Sequence, residues 1–441
     1  MLDKLFGWKK KKETPQPVVP LITFGRYSDN NKTVQKTQRW TDADKLFKES
    51  SYHDSITAFF DYLRDDAEQN VVTQTNGAEH RFSIYQGSKM VRGFYNNDIL
   101  SAEVTLARMA QPSVPVMRRL LEQNFSLYYC RYGIDGDRLC MRFDTELATA
   151  NPNKLYYAFK ELATKADKQD DLLLQDFQTL QPGDIEHIEV IPDAEKEVKY
   201  HYLQQWIADT VELINNVDAD KMSGAVSHLL LNLAYRIDFL LVPQGRLLFD
   251  LEDLVTAFFT KEERSVPEKN NAMLQAFQAI AGLSKEVVFA CFYRSKHSFA
   301  VTQPTPQKTV SDSIFSANQN AISFRDNHLP EVAQQVSEYG LAYCQYNFSL
   351  PKPISSLYMV LMKVVYAGFF QDLGFSPVLY NSNKGEFNVP QIEQKILQII
   401  HKWKEKYPQI NFKTENLKYD SLLNFTYSFT SEVEFVNTEI K

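Results

Sequence analysis

Across residues 126–177 the chain passes from an every-second-residue alternation to a helical stripe, SLYYCRYGIDGDRLCMRFDTELATANPNKLYYAFKELATKADKQDDLLLQDF. Asp135-Gly136 is the dipeptide favoured in a two-residue type I′ hairpin turn, where both central residues need positive φ. Folding about it pairs Tyr132 with Leu139, Arg131 with Cys140 and Cys130 with Met141. Tyr128, Cys130, Tyr132, Leu139, Met141 and Phe143 then share a face that predicts core, each large side chain worth roughly 1.5–3 kcal/mol when fully buried. Tyr129, Arg131, Arg138, Cys140 and Arg142 share the opposite face. Asn153 is the predicted N-cap of the helix that follows, with Leu155, Phe159, Leu162, Ala166, Leu173 and Phe177 on its apolar stripe. A hairpin with one apolar face and a helix with one apolar stripe predict a two-layer α+β unit.

Upstream, helical patterns cover 41–48 and 54–65, the second with Ile56, Phe59, Phe60 and Leu63 on one face. β-type runs follow at 71–75, 81–85, 90–94 and 99–109, punctuated by Asn76-Gly77 and Gln86-Gly87. In the last run Ala102, Val104, Leu106 and Arg108 alternate only imperfectly with Glu103, Thr105 and Ala107. A helix at 113–123 takes Pro115 in its first turn and Met117, Leu120 and Leu121 as its apolar face. Residues 178–202 have the character of a boundary, with a turn at Pro182-Gly183.

Beyond it the pattern becomes α-rich. Helices are predicted at 204–215, 221–241, 247–260, 270–280, 285–297, 329–346, 355–373 and 392–407. At the end, Leu423, Phe425, Tyr427, Phe429, Val433 and Phe435 alternate with Asn424, Thr426, Ser428, Thr430, Glu432 and Glu434. That predicts an antiparallel strand with one wet face, which must find a partner in this chain or in a second copy. The organisation expected is a flexible basic tail and linker (1–39), an α+β domain (40–180), a linker (181–202) and an α-rich domain with a C-terminal strand (203–441).

Composition narrows the function classes. With 44% hydrophobic residues the chain can build substantial cores, and its mixed charge, net −7, argues against a nucleic-acid binder. Four cysteines are reduced, cytoplasmic usage; Cys130 and Cys140 face opposite ways in the hairpin and cannot pair. No apolar run reaches the ~18 residues of a membrane span. The N-terminal MLDKLFGWKKKK sets Trp8 beside Lys9, Lys10, Lys11 and Lys12. It reads as a solvated tail, with peripheral contact to an anionic membrane surface as the alternative.

The run VMRRLLEQNFSLYYCRYGIDGDRLCMRF, with LYYAFKELATKADKQDDLL after it, resembles the YbjN-type domain, whose fold is shared with type III secretion chaperones. The likeness rests on a helix ending Leu-Leu-Glu-x-Asn, a hairpin about Asp-Gly, and Ala166, Asp167, Asp170 and Leu172 on the next helix; it covers about 52–177. It implies a helix–sheet sandwich of type III secretion chaperone-like topology, a tendency to dimerise, and a chaperone-like or regulatory role through protein contacts. It implies no catalytic residues.

Reactive constellations are absent from the sequence. The eight histidines form no HExxH and no Cys/His pairing, and GxxxxGK[ST], GxGxxG and GxSxG do not occur. Asp167, Asp170 and Asp171 are expected on a solvated helix face, because no loop completes an oxygen shell around them. Tyr293, Arg294, Lys296 and His297 are expected at a helix C-terminus, where cations are favoured. The expectation is no enzyme, no metal and no cofactor. The candidate protein-binding face is Tyr129, Arg131, Arg138 and Arg142, combining aromatic area with guanidinium forks, for an extended segment of a partner or a second copy. The alternatives are a small-ligand or enzymatic module in the helical half and a membrane-surface scaffold through the lysine run.

Overall fold

The computed structural model describes residues 20–28, 32–77, 79–184, 187–218, 221–261, 263–300 and 303–439. The candidate tail residues Trp8, Lys9, Lys10, Lys11 and Lys12 lie outside them. The chain is α+β. It opens with helices α1 (Val34–Lys48) and α2 (Tyr52–Leu63), followed by strands β1 (Val71–Asn76), β2 (Glu79–Gln86), β3 (Lys89–Tyr95) and β4 (Ile99–Arg108). Helix α3 (Val114–Asn124), strands β5 (Arg131–Asp135) and β6 (Arg138–Glu146) and helix α4 (Pro152–Asp176) complete the stretch that the alternation predicted. The sheet is antiparallel in the order β1-β2-β3-β4-β6-β5, and the short β7 (Gln181–Pro182) pairs with the end of β4.

One face of this sheet carries the core. Phe60 of α2 packs on Phe82, Phe159 of α4 packs on Phe82 and Phe143, and Phe59 of α2 packs on Phe159, all of them buried. The imperfect alternation of β4 has a structural cause. A register break between Thr105 and Ala107 lets Leu106 and Ala107 both be buried.

The hairpin register differs from the predicted one by two residues: Tyr132 pairs with Met141 and Ile134 with Leu139. The central turn residues are therefore Gly136 and Asp137, with only Gly136 at positive φ (+60°), as in a turn with glycine first. A slip of two preserves the faces, so Cys130, Tyr132, Leu139, Met141 and Phe143 are core as expected. Tyr128 is not, at 92% exposed, and neither is Leu121 of α3. The N-cap of α4 is Asn151, whose side chain accepts from the Lys154 N–H, with Pro152 in the first turn.

The described residues of the expected linker 181–202 include regular elements. The segment carries β7, then β8 (Glu189–Val190), and from Asp193 the first turns of α5 (Asp193–Asn215). Helices α6 (Ser223–Leu241), α7 (Gly245–Phe259), α8 (Val266–Ala281) and α9 (Lys285–Ala290) follow, then β9 (Tyr293–Arg294), which pairs with β8. The predicted helix at 285–297 thus stops at Ala290. The rest is α10 (Gln307–Asp326), α11 (Pro330–Asn347), α12 (Lys352–Val365), α13 (Ala367–Asp372), α14 (Val389–Trp403) and α15 (Leu422–Glu434). Helix α6 is buried on all sides and forms the axis of this half.

The predicted C-terminal strand is helix α15. Phe425, Phe429 and Val433 fit a period of four as well as a period of two, and both the Ser421 cap and the partners of the hydroxyls favour the helix. Thr426 and Thr430 are fully buried, and Thr430 Oγ1 lies within hydrogen-bond distance of the Thr426 carbonyl (2.9 Å) and Asn318 Oδ1 (3.1 Å). Two polar positions of the alternation, Thr426 and Thr430, are therefore buried, and Thr430 meets Asn318 of α10 and Ser337 of α11 rather than water.

Candidate functional site

Of the predicted binding face, Arg131, Arg138 and Arg142 lie on one side of the hairpin, and Tyr129 precedes β5 at 41% exposure. Arg131 and Arg142 are cross-strand neighbours, and Arg138 follows two residues before Cys140. Their guanidinium groups are paired: Arg131 with Asp144, Arg138 with Asp135 and with Glu103 (2.8 Å), and Arg142 with Glu103 (3.2 Å). Cys140 lies fully buried beneath this layer.

Beside that layer lies a set of exposed apolar side chains, two of which, Leu121 and Tyr128, the sequence pattern predicts as core. Val114, Leu121 and Phe125 recur at helical spacing along α3, and Tyr128, Tyr129 and Ile134 continue the exposed set to the end of the sheet. The loop between them is held by Glu161 of α4, whose carboxylate accepts from the backbone N–H groups of Tyr128 (2.8 Å), Tyr129 (2.8 Å) and Cys130 (3.0 Å). With its backbone tied inward, the loop turns Tyr128 and Tyr129 outward. Asn124 Oδ1 accepts from the Tyr132 N–H (2.8 Å), which covers part of the β5 edge.

A second cluster joins the two halves of the molecule. It begins at the β2–β3 turn, where Gly87 has φ +55° and a Cβ would fall 2.0 Å from the Asp167 carboxylate, so only glycine fits. Asp167 Oδ1 accepts from the Ser88 N–H (2.6 Å), and the Ser88 hydroxyl lies within hydrogen-bond distance of both Asp167 Oδ1 (3.1 Å) and Asp170 Oδ2 (2.9 Å). Lys89 is fully buried and places its ammonium 2.8 Å from Asp170 Oδ2. It also donates to the Leu106 carbonyl (3.2 Å), at the register break of β4, and to the Gly183 carbonyl (3.1 Å) after β7. One lysine thus ties together β3, β4, β7 and α4.

The expected solvated face of Asp167, Asp170 and Asp171 is overturned here. The stretch of α4 that bears them is wedged against the β2–β3 turn and the N-terminus of α7, where Gly245 lies beside Asp171. Burial, and then the neighbouring carboxylates, push Asp167 up to about 7 and Asp171 up to about 8. Burial also raises Asp170, against the pull of Lys89. The phenol of Tyr293 is raised by its burial and by the same three carboxylates. Asp167 and Asp171 thus favour their protonated forms beside the Lys89–Asp170 pair.

The segment after β9 completes the junction. Ser298 N–H and Phe299 N–H both donate to Gln86 Oε1 (3.2 and 3.0 Å), and Phe299 is buried in the core of the sheet domain. His297 is pushed down to about 4 by its surroundings, chiefly burial and then the Arg26 charge. In return, residues 20–28 lie on the helical half: Phe24 packs against Phe370, and Arg26 binds Asp238 and Glu252 (both 2.6 Å). Arg294 pairs with Glu189 (2.8 Å) and Glu195 (3.0 Å), so the polar group expected at a helix end is a two-stranded contact instead.

In the sequence the sign of this junction is Lys89, a cation opening a β-run directly after a Gly-Ser turn. A third polar group lies within the helical core: Tyr366 donates to Glu338 (2.9 Å), as does Asn232 (3.1 Å), and Arg236 donates to Gln335 (3.0 Å). All four cysteines are buried and their thiols raised, which keeps them protonated and poorly nucleophilic. Among the described residues no set of His, Cys, Asp and Glu converges as a metal site, and no helix is long and apolar enough to cross a membrane. No family model matches the chain, and no curated protein is significantly similar to it.

Proposed function

We propose that the chain is a non-enzymatic, cytoplasmic protein-interaction protein, chaperone-like or regulatory, that uses the end of the sheet formed by α3, β5 and the loop between them. The observation that carries this is the set of exposed apolar side chains there, with Phe125 at 95% and Tyr128 at 92% exposure. Large exposed apolar areas on soluble domains mark interaction sites. The bonds from Glu161 to the loop support the reading, because they hold the two tyrosines in one orientation before any partner arrives. The paired arginines at the margin supply the polar rim such a surface needs. The resemblance to YbjN-type domains points the same way, toward an extended partner segment or a second copy.

Light scattering over a range of concentrations, combined with cross-linked pull-down, tests it. The wild-type chain is expected to self-associate or retain a discrete partner, and F125S/Y128S to lose that with its thermal midpoint unchanged. A strictly monomeric wild type that retains nothing would sink the reading.

A further inference from the structure

The two edges of the sheet are finished differently. At the β5 edge, side chains take the outward amides: Cys130 N–H donates to Glu161 (3.0 Å) and Tyr132 N–H to Asn124 (2.8 Å). At the other edge, β1 reads Val-Val-Thr-Gln-Thr-Asn in unbroken register with β2, and its residues from Val72 to Asn76 are exposed. Natural edge strands are kept short, bulged, or furnished with charge or proline. β1 has six residues and carries no bulge, no charge and no proline.

The register fixes which main-chain groups of β1 are open. Tyr85 N–H donates to the Asn70 carbonyl (2.9 Å), so Asn70, Val72, Gln74 and Asn76 bond inward to β2. Val71, Thr73 and Thr75 therefore turn their main-chain groups outward. Arg64 Nε donates to the Val71 carbonyl (3.1 Å) and closes that end. Among the described residues, nothing bonds the Thr73 or Thr75 main chain on the outer side. Arg81, opposite Gln74 on β2, is paired with Glu79 (2.7 Å).

We propose that β1 pairs antiparallel with β1 of a second copy of the chain, about a two-fold axis at Gln74. Thr73 then stands opposite Thr75 of the partner subunit, and the two such pairs exchange four N–H···O bonds. Identical uncharged strands set no like charges against each other, and threonine pairs across strands are favourable. Low charge, β-branched side chains and the lack of proline are the features by which identical segments stack. A charged peptide would find no charge on β1 to meet. Two strands of this length make a contact below the roughly 1,200 Å2 of a standard interface, so the dimer is weak and forms at high concentration. It is separate from the α3–β5 surface, and either association can fail without the other.

Sedimentation equilibrium on the full chain carrying F125S/Y128S tests it, because the α3–β5 surface is disabled there and β1 alone reports. A concentration-dependent dimer is expected. Thr75→Pro should abolish it with circular dichroism unchanged, since the Thr75 amide takes no part in the β1–β2 ladder. Gln74→Lys and Gln74→Glu should each weaken it several-fold, as like charges meet at the axis. An equimolar mixture of those two variants should dimerise at least as well as the parent. A parent that stays monomeric at every concentration would overturn the proposal. So would a folded Thr75→Pro chain that dimerises as the parent does, or a Lys–Glu mixture no tighter than either variant alone.

Discussion

Two charged clusters of this protein contain the same kinds of residue in opposite circumstances. On the hairpin, Arg131, Arg138 and Arg142 meet carboxylates at the surface, their side chains 57, 32 and 43% exposed. At the junction, Lys89 meets Asp170 with side chains 1 and 4% exposed. Water dissolves most of the value of the first set, and exposed pairs are worth about 0–1 kcal/mol. At the second, desolvation offsets much of the attraction, and the importance of the pair lies in what either partner leaves behind when the other goes. The difference is one of position in the fold: the hairpin ends in solvent, whereas α4 lies between two halves.

The sharpest way to break this contrast is Lys89→Met. It strands a buried carboxylate and two carbonyls, Leu106 and Gly183, for which the expected loss is about 3–5 kcal/mol in urea unfolding. A loss below about 1 kcal/mol would put the junction in the same class as the surface pairs. Phe299→Ala removes the aromatic ring that the helical half inserts into the sheet domain, and a loss of about 3 kcal/mol is expected. Its second readout is limited proteolysis, with earlier cleavage near residue 300 than in the wild type.

A milder test uses pH. Unfolded aspartate titrates near 3.9, whereas folded Asp167 and Asp171 keep their protons to about 7 and about 8. The folded state therefore binds more protons over that interval, and these two groups lower stability as pH rises from about 4 to about 8. His297 has the opposite sign: folded at about 4 against about 6.5 unfolded, it lowers stability as pH falls through that window. Asp171→Asn should leave stability at pH 4 nearly unchanged and raise it at pH 8, on the order of 1–3 kcal/mol for relief of a poorly compensated buried charge. Equal effects at the two pH values would show that Asp171 titrates in the folded chain as it does in the unfolded one.

The sheet was legible because each strand carries its own alternation, and the four runs between residues 71 and 109 match β1 to β4 within two residues. The faces of the hairpin survived an error of two in register, since parity alone assigns them. What misled was any pattern that two periods fit equally. Phe425, Phe429 and Val433 satisfy both a strand and a helix, and only the contacts of Thr430 and Asn318 across α10 and α11 decide. Helix α10 went unread: its buried face consists of Val310, Ile314, Ala317, Asn318 and Ala321, two of them alanine and one polar. The acidic face of α4 looked solvated because its partner, Lys89, stands about eighty residues earlier and its cover comes from the other half. Spacing along one helix cannot report what another element brings to it.

The smallest expected effect tests the surface side of the comparison. Arg138 and Arg142 share Glu103, at 2.8 and 3.2 Å, so removing either leaves the carboxylate one cation. Arg138→Ala and Arg142→Ala should each cost less than about 1 kcal/mol, and the cost should shrink further in high salt as screening tightens. The double variant leaves Glu103, whose side chain is 21% exposed, above the buried Cys140 with no cation beside it. It should therefore cost more than the two single changes together, by about 0.5 kcal/mol or more in a double-mutant cycle. Strict additivity would mean that Glu103 reaches water freely and that the three arginines are independent surface charges. A large coupling would mean that the hairpin carries a partly desolvated network of its own, nearer in kind to the junction than its exposure indicates.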